Sequence, residues 1–256
     1  MKKMILLFLI SMSVLWLTGQ VWADTNTSLK TAQDHYTMGN AFYSYGIVEN
    51  ATREYQIAVS MDPNLSDAWN NLGLSLTAQK RYSEAKDALE NATRLNSTDP
   101  EGWYNLGYTL GMLGNKSEEV SAYEKAISIN PNMTIAWRNI GVVRYEEQNY
   151  TGAAEAFEKA TKFDPSSALG WYYLGTVYEK TGNLTGAADV LKRAVDMDKN
   201  LTMAKDRLKA VEKNLSDSSS SSSVTPSQAT GKKTPLPAVV VIFSLVVAAT
   251  VMFFRR

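Results

Sequence analysis

Between residues 32 and 213, apolar and polar positions follow a helical rather than a strand rhythm. In AWNNLGLSLTAQ, Trp69, Leu72, Gly73 and Leu76 recur three and four residues apart and share one helix face. A polar break, KRYS, follows. The next stretch, EAKDALENATRL, carries Ala85, Ala88, Leu89, Ala92 and Leu95 along one face. The chain therefore predicts pairs of short amphipathic helices joined by tight polar turns.

The pairs repeat. Trp69, Trp103, Trp137 and Trp171 are spaced by 34 residues, and His35 holds the same position one step earlier. Gly39, Gly73, Gly107, Gly141 and Gly175 form a second series, and Ala58, Ala92, Ala126, Ala160 and Ala194 a third. Three series sharing one period predict a solenoid of stacked helical hairpins. Glycine and alanine on facing helices allow close approach, and larger side chains then fill the gaps. Pro63, Pro131 and Pro165 follow the second helix of their repeats, where Ser97 and Lys199 stand in the other two. Glu119 departs from Ala51, Ala85, Ala153 and Ala187; it is expected to loosen its hairpin or to tilt its carboxylate toward water.

WYNLGYTL with SAYEKAISINP, and WRNIGVVRY with GAAEAFEKATKFDP, resemble the tetratricopeptide repeat. The resemblance implies an all-α, right-handed superhelical solenoid of five helix pairs. The repeats run 32–65, 66–99, 100–133, 134–167 and 168–201 within a domain of 32–213. Residues 202–213, with Ala204, Leu208 and Val211 on one face, are expected to cap the array.

The ends add an address. Lys2 and Lys3 precede the apolar run Met4–Leu17, and Ala23 is small, the pattern of a signal peptide at 1–23 followed by a lead-in at 24–31. Residues 214–234 include six consecutive serines, Ser218–Ser223, and read as a flexible stalk. Residues 235–256 hold an uncharged apolar run ending in Arg255 and Arg256, the pattern of a single transmembrane segment with a cytoplasmic basic tail. The array is thus expected outside the cell, anchored at the cell membrane by its C-terminal helix or by a processed surface anchor.

Asparagine stands in an N-glycosylation tripeptide at Asn26, Asn50, Asn64, Asn91, Asn96, Asn115, Asn132, Asn149, Asn183, Asn200 and Asn214. Asn115, Asn149 and Asn183 share one turn position of the repeat, and Asn64, Asn132 and Asn200 another. With the ends of the chain, this pattern resembles an archaeal cell-surface, membrane-anchored glycoprotein.

Charge and composition narrow the chemistry. The formal net charge is zero, with 26 basic and 26 acidic residues, so no basic footprint for nucleic acid is present. There is no cysteine, which removes disulfides and thiolate chemistry. The single histidine, His35, takes a packing position, and no metal-binding, phosphate-cradling or nucleophile-elbow motif occurs. No metal or cofactor is expected, and the chain reads as non-catalytic.

What remains is a surface. In tetratricopeptide arrays the first helices line a concave groove, and that resemblance places Tyr36, Asn40, Tyr43, Asn70, Tyr104, Tyr108, Arg138, Tyr145 and Tyr172 on it. Tyrosine combines broad apolar area with a hydroxyl, which suits a peptide or protein partner. Tyr36 and Glu101 stand where a clamp for a terminal carboxylate wants cations, beside Asn40, Asn71 and Asn105. The expected function is a displayed protein-binding scaffold. The alternatives are a structural component of the envelope and, further off, a glycan-related enzyme.

Overall fold

The computed structural model describes residues 31–221, with side chains through 218. The expected signal peptide, Asn26, the remainder of the stalk and the apolar tail lie outside the described residues.

Five helix pairs follow one another: α1 (Ala32–Ser44) with α2 (Val48–Met61), α3 (Ser66–Ala78) with α4 (Tyr82–Leu95), α5 (Pro100–Met112) with α6 (Lys116–Ile129), α7 (Thr134–Glu146) with α8 (Tyr150–Phe163), and α9 (Ala168–Lys180) with α10 (Leu184–Met197). A last helix, α11 (Thr202–Ser221), caps the stack. The two helices of each pair pack on one another, the second helix of each of the first four pairs packs on the first helix of the next, and α3 touches both α1 and α5. The architecture is an all-α solenoid, and its described helices lie in one compact unit that ends at Ser216, α11 running past that end.

The glycine series sets the distance between paired helices. A Cβ at Gly39 would lie 2.5 Å from the Tyr55 ring, at Gly73 2.4 Å from Leu89 Cγ, and at Gly141 2.8 Å from the Phe157 ring. Gly107 and Gly175 receive Tyr123 and Leu191 in the same way. Every receiving side chain is at most 1% exposed. Alanines complete the interface: Ala51, Ala85, Ala153 and Ala187 are fully buried.

The turn between repeats is built from two devices. Asp62, Asn96, Asn130, Asp164 and Asp198, again 34 residues apart, each accept the backbone N–H two residues on, at 2.8–3.3 Å. These are Asx turns, which close a helix and redirect the chain. The next indole then holds the loop: Trp69, Trp103, Trp137 and Trp171 donate Nε1–H to the carbonyls of Pro63, Ser97, Pro131 and Pro165 at 2.8–3.0 Å. The tryptophans thus tie each repeat to the loop before it as well as filling space.

The turn within each hairpin has a third device, a left-handed residue. Gly46, Lys80, Gly114, Gln148 and Gly182 have φ between 61° and 82°. Glycine adopts this conformation without a Cβ clash; lysine and glutamine do so at a cost.

Helix α11 extends to Ser221, past the expected boundary at residue 213. Leu215 continues the stripe of Leu208 and Val211 against the final core cluster, so the helix is held beyond the point where polar composition suggests an end.

One expectation about this chain is corrected. A membrane-spanning anchor with the array displayed outside is not supported, because no helix among the described residues is long and apolar enough to cross a membrane. The ten paired helices are 13 or 14 residues long, about 20 Å, against roughly 30 Å of hydrocarbon. Helix α11 is longer but carries Lys205, Asp206, Arg207, Lys209, Glu212 and Lys213. The apolar tail that motivated the expectation lies outside the described residues.

Candidate functional site

The first helices of the pairs, α1, α3, α5, α7 and α9, place the expected groove residues at equivalent positions, and packing divides them into two groups. Tyr43 and Tyr108 are 39% and 45% exposed. The others are half-buried. The Tyr36 ring lies 6.2 Å from that of Tyr55, Tyr104 lies 5.5 Å from Tyr123, and Tyr145 meets Tyr150 edge-on at 5.4 Å. Tyr172 packs on Tyr173 at 5.5 Å and lies under the Arg207 guanidinium, which is anchored to Glu179 at 2.7 Å. Arg138 lies near Tyr104: burial raises that phenol's pKa, and the guanidinium partly opposes the rise.

Asparagines run along the same helices. Asn40 Oδ1 accepts from the Tyr55 hydroxyl and from Asn71 Nδ2, both at 2.8 Å. Asn70 Nδ2 donates to Asn71 Oδ1 at 3.4 Å, and Asn70 Oδ1 accepts from Asn105 Nδ2 at 3.0 Å. Asn139 Nδ2 donates to the Tyr123 hydroxyl at 3.1 Å. Side-chain amides therefore link successive repeats. Burial pushes the Tyr55 phenol up to about 12, so it remains a donor over the physiological range.

Two depressions open among these helices. The first, about 120 Å³, is lined by Asn40, Tyr43, Ser44, Tyr55, Asn71 and Leu74. The second, about 290 Å³, includes Tyr108, Met112, Glu119, Tyr123, Asn139 and Val142. Of the expected groove residues, the structure brings Asn40 and Tyr43 into the first depression and Tyr108 into the second. Tyr36, Asn70, Tyr104, Arg138, Tyr145 and Tyr172 are absent from both linings.

Sequence reasoning missed Leu74, Met112 and Val142, which carry no distinguishing signal, and Asn139, which does: Asn71, Asn105 and Asn139 are spaced by 34 residues. Glu119 was noticed as a departure, but its compensation was not. It neither splays the hairpin nor turns fully to solvent. Its carboxylate lies over Gly111, where a Cβ would come within 2.6 Å of Oε1. Burial is the main reason its carboxyl pKa is raised, with Glu146 adding to the effect.

His35 Nδ1 lies 2.7 Å from Glu54 Oε2, both side chains being 15% exposed, so the histidine braces the first hairpin. Among the described residues no group of His, Asp and Glu could hold a metal ion.

Some of the acceptor-tripeptide asparagines do structural work. Asn149 and Asn183 cap α8 and α10, accepting from Gly152 and Gly186 N–H. Asn96 accepts from the backbone and hydroxyl of Thr98, two residues on, which is itself the tripeptide spacing. Asn115 is the N-cap residue of α6. Asn64, Asn132 and Asn200 lie in exposed turns between repeats, Asn50 and Asn91 lie inside α2 and α4, and Asn214 lies in α11. Helix capping and an Asx turn thus account for Asn96, Asn149 and Asn183.

Comparison with known proteins gives the family. Models described as tetratricopeptide repeat match residues 36–85, 121–168 and 138–201, and 100–133; one described as TPR repeat matches 73–114. A solved structure of MamA is 25% identical, with a TM-score of 0.61 over 63% of this chain and 95% of that one. YrrB is 24% identical, with a TM-score of 0.62 over 75% of this chain and 97% of that one. An uncharacterized protein of Haemophilus influenzae is 38% identical over 63 residues, 25% of this chain, and the match spans 34% of that relative.

None of these matches carries an archaeal, surface-glycoprotein or membrane-anchored character. That part of the resemblance is corrected, together with the cell-surface location and the membrane as a partner. What stands is an all-α array of paired helices. From residue 36 to residue 201 the matched segments are continuous, and the chain belongs to the tetratricopeptide repeat family.

Proposed function

We propose that the array is a scaffold that binds an extended peptide segment of a partner protein along its first helices. One observation carries this reading: side-chain amides at Asn40, Asn70, Asn71, Asn105 and Asn139 recur along the helices that also form two depressions bearing the exposed Tyr43 and Tyr108. An amide side chain offers a donor and an acceptor, the complement of a peptide backbone whose N–H and C=O groups seek partners. Tyrosine supplies apolar contact at low ordering cost. YrrB, which shares the fold, is described as having an unusual peptide-binding site, and this supports the same use of the scaffold here.

The test is direct peptide binding by the full chain. An immobilised random library of eight-residue peptides selects binders, and affinities are measured by fluorescence polarisation. Tyr43→Ala with Tyr108→Ala, and separately Asn71→Ala with Asn105→Ala, are expected to weaken binding at least about tenfold, as loss of central anchors does. Selected peptides that bind all variants equally, with helicity intact, reject the groove.

A further inference from the structure

We propose that the larger depression is a receptor for one lysine or arginine side chain of the bound peptide, with the Glu119 carboxylate as its counter-charge. This rests on the peptide-groove reading and specifies what one part of the groove selects.

The depression has the chemistry of such a side chain in negative. Tyr108, Met112 and Val142 offer apolar surface, while Glu119, Glu146 and Lys116 share the same 290 Å³ space, two carboxylates to one ammonium. Lysine and arginine have an aliphatic stem and a cationic head, and bind best where the stem is covered and the head meets an anion. The 120 Å³ depression has only uncharged lining residues, so the two halves of the groove ask for different side chains.

Among the described residues the Glu119 carboxylate is in no ion pair, although the Lys116 ammonium favours its charged form from farther off. That ammonium is 2.7 Å from Glu146 instead. Tyr123 supplies a hydrogen bond but no charge. A half-buried anion with a neutral partner gains more from an incoming cation than a solvated surface carboxylate does.

The sequence installs this arrangement once. Alanine stands at 51, 85, 153 and 187, where the fold requires only a small side chain. At 119 it gives way to glutamate, and across the hairpin Gly111 replaces the larger Thr77 and Tyr145 of neighbouring repeats. Any Cβ at 111 would push into the carboxylate. The paired change places an acid in the groove wall without widening the hairpin.

The test uses the full chain and a positional-scanning library of eight-residue peptides. The wild type is expected to enrich lysine or arginine at one peptide position. Glu119→Gln keeps the shape and removes the charge; it should bind the enriched peptide about tenfold more weakly, the effect of losing one charge-assisted contact. A peptide with norleucine at that position should not distinguish the two proteins. Glu119→Ala, which restores the residue found in the other four repeats, should behave like Glu119→Gln and guards against a folding artefact. Bound peptides without basic enrichment, or enrichment unchanged by both substitutions, overturn the receptor while leaving the groove. Failure of the wild type to retain any peptide overturns both.

Discussion

Adding one methyl group at Gly73 should destabilise the array, although alanine is the better helix former. Helix α3 would gain about 1 kcal/mol from the higher propensity of alanine. The new Cβ, however, would lie 2.4 Å from Leu89 Cγ and 2.8 Å from Leu89 Cδ2. Carbon atoms in contact sit about 3.5–4.0 Å apart, so Leu89 or the helix must retreat by about 1 Å. Leu89 is fully buried, and Cγ is a branch atom rather than the end of a flexible chain. Overpacking of this kind costs about 1–3 kcal/mol, and the constrained geometry puts it near the top of that range. Gly73→Ala should therefore destabilise by about 2 kcal/mol.

The reasoning is exposed by reversing the sign. Leu89→Ala alone should cost about 2–5 kcal/mol through the cavity it leaves. In that background Gly73→Ala meets no obstacle, and its propensity gain should emerge as about 1 kcal/mol of stabilisation. The coupling between the two sites is then about 3 kcal/mol, within the range expected for residues in contact. Urea unfolding followed by far-ultraviolet circular dichroism measures all four variants, with an unchanged slope as the check that cooperativity is preserved. Gly170→Ala serves as the control, because its Cβ would meet nothing closer than 3.3 Å. A Gly73→Ala effect of the same sign and size in both backgrounds would refute the claim that Gly73 exists to receive Leu89.

Three further outcomes follow from other contacts. Lys80→Gly and Gln148→Gly, at φ of 61°, should each stabilise by about 0.5–1 kcal/mol, since relief of the left-handed penalty exceeds the entropy glycine adds to the unfolded chain; the same urea titration reads this. Trp137→Phe should cost up to about 1 kcal/mol by releasing the Pro131 carbonyl to water, with faster amide hydrogen exchange in the loop as the sign of its loosening. Glu119→Gln should stabilise at pH 7, and the gain should fade with acidification. Burial, Glu146 and Glu147 raise the folded carboxyl pKa while Tyr123 and Lys116 oppose them, so the folded state takes up its proton before the unfolded chain does. The wild type therefore regains stability as pH falls through the raised value, and the difference between the proteins closes below the ordinary glutamate value of about 4.3.

Much of the fold was legible because packing dictates residue type. Only glycine leaves room for Leu89 or Phe157, and only a small side chain fits at 51, 85, 153 and 187, so these positions repeat in identity. The turns were less legible because they repeat in conformation. Asp62, Asn96, Asn130, Asp164 and Asp198 alternate between two residues that make the same Asx turn, and the left-handed position is filled by glycine, lysine or glutamine. Identity matching loses both series, although each keeps the 34-residue spacing. The groove was legible in position and not in state. A tyrosine on a first helix reads the same whether it stands free, as Tyr108 does, or lies under an arginine, as Tyr172 does. Nothing local to the residue distinguishes them, because the covering group comes from another helix.

The same distinction separates what the repeats hold in common from what they select. A position fixed by hairpin packing cannot vary without a steric cost of kilocalories, so a solenoid can differ among its repeats only where that constraint is absent or where two changes cancel. Gly111 and Glu119 are a cancelling pair: the glycine vacates the space the carboxylate takes. Neither change is informative by itself: without Gly111 the carboxylate must swing aside, and without Glu119 the glycine has nothing to receive. Their co-occurrence in one hairpin gives the acid its place in the groove wall. Exchanging the pair for the combination of a neighbouring repeat, Gly111→Thr with Glu119→Ala, should accordingly preserve stability to within about 1 kcal/mol, whereas Gly111→Thr alone should displace the carboxylate, the flexible end of a half-buried side chain, and cost up to about 1 kcal/mol. Equal stability of the single and double variants would mean that the two positions are independent, and the acid in the groove wall would then have no structural provision made for it.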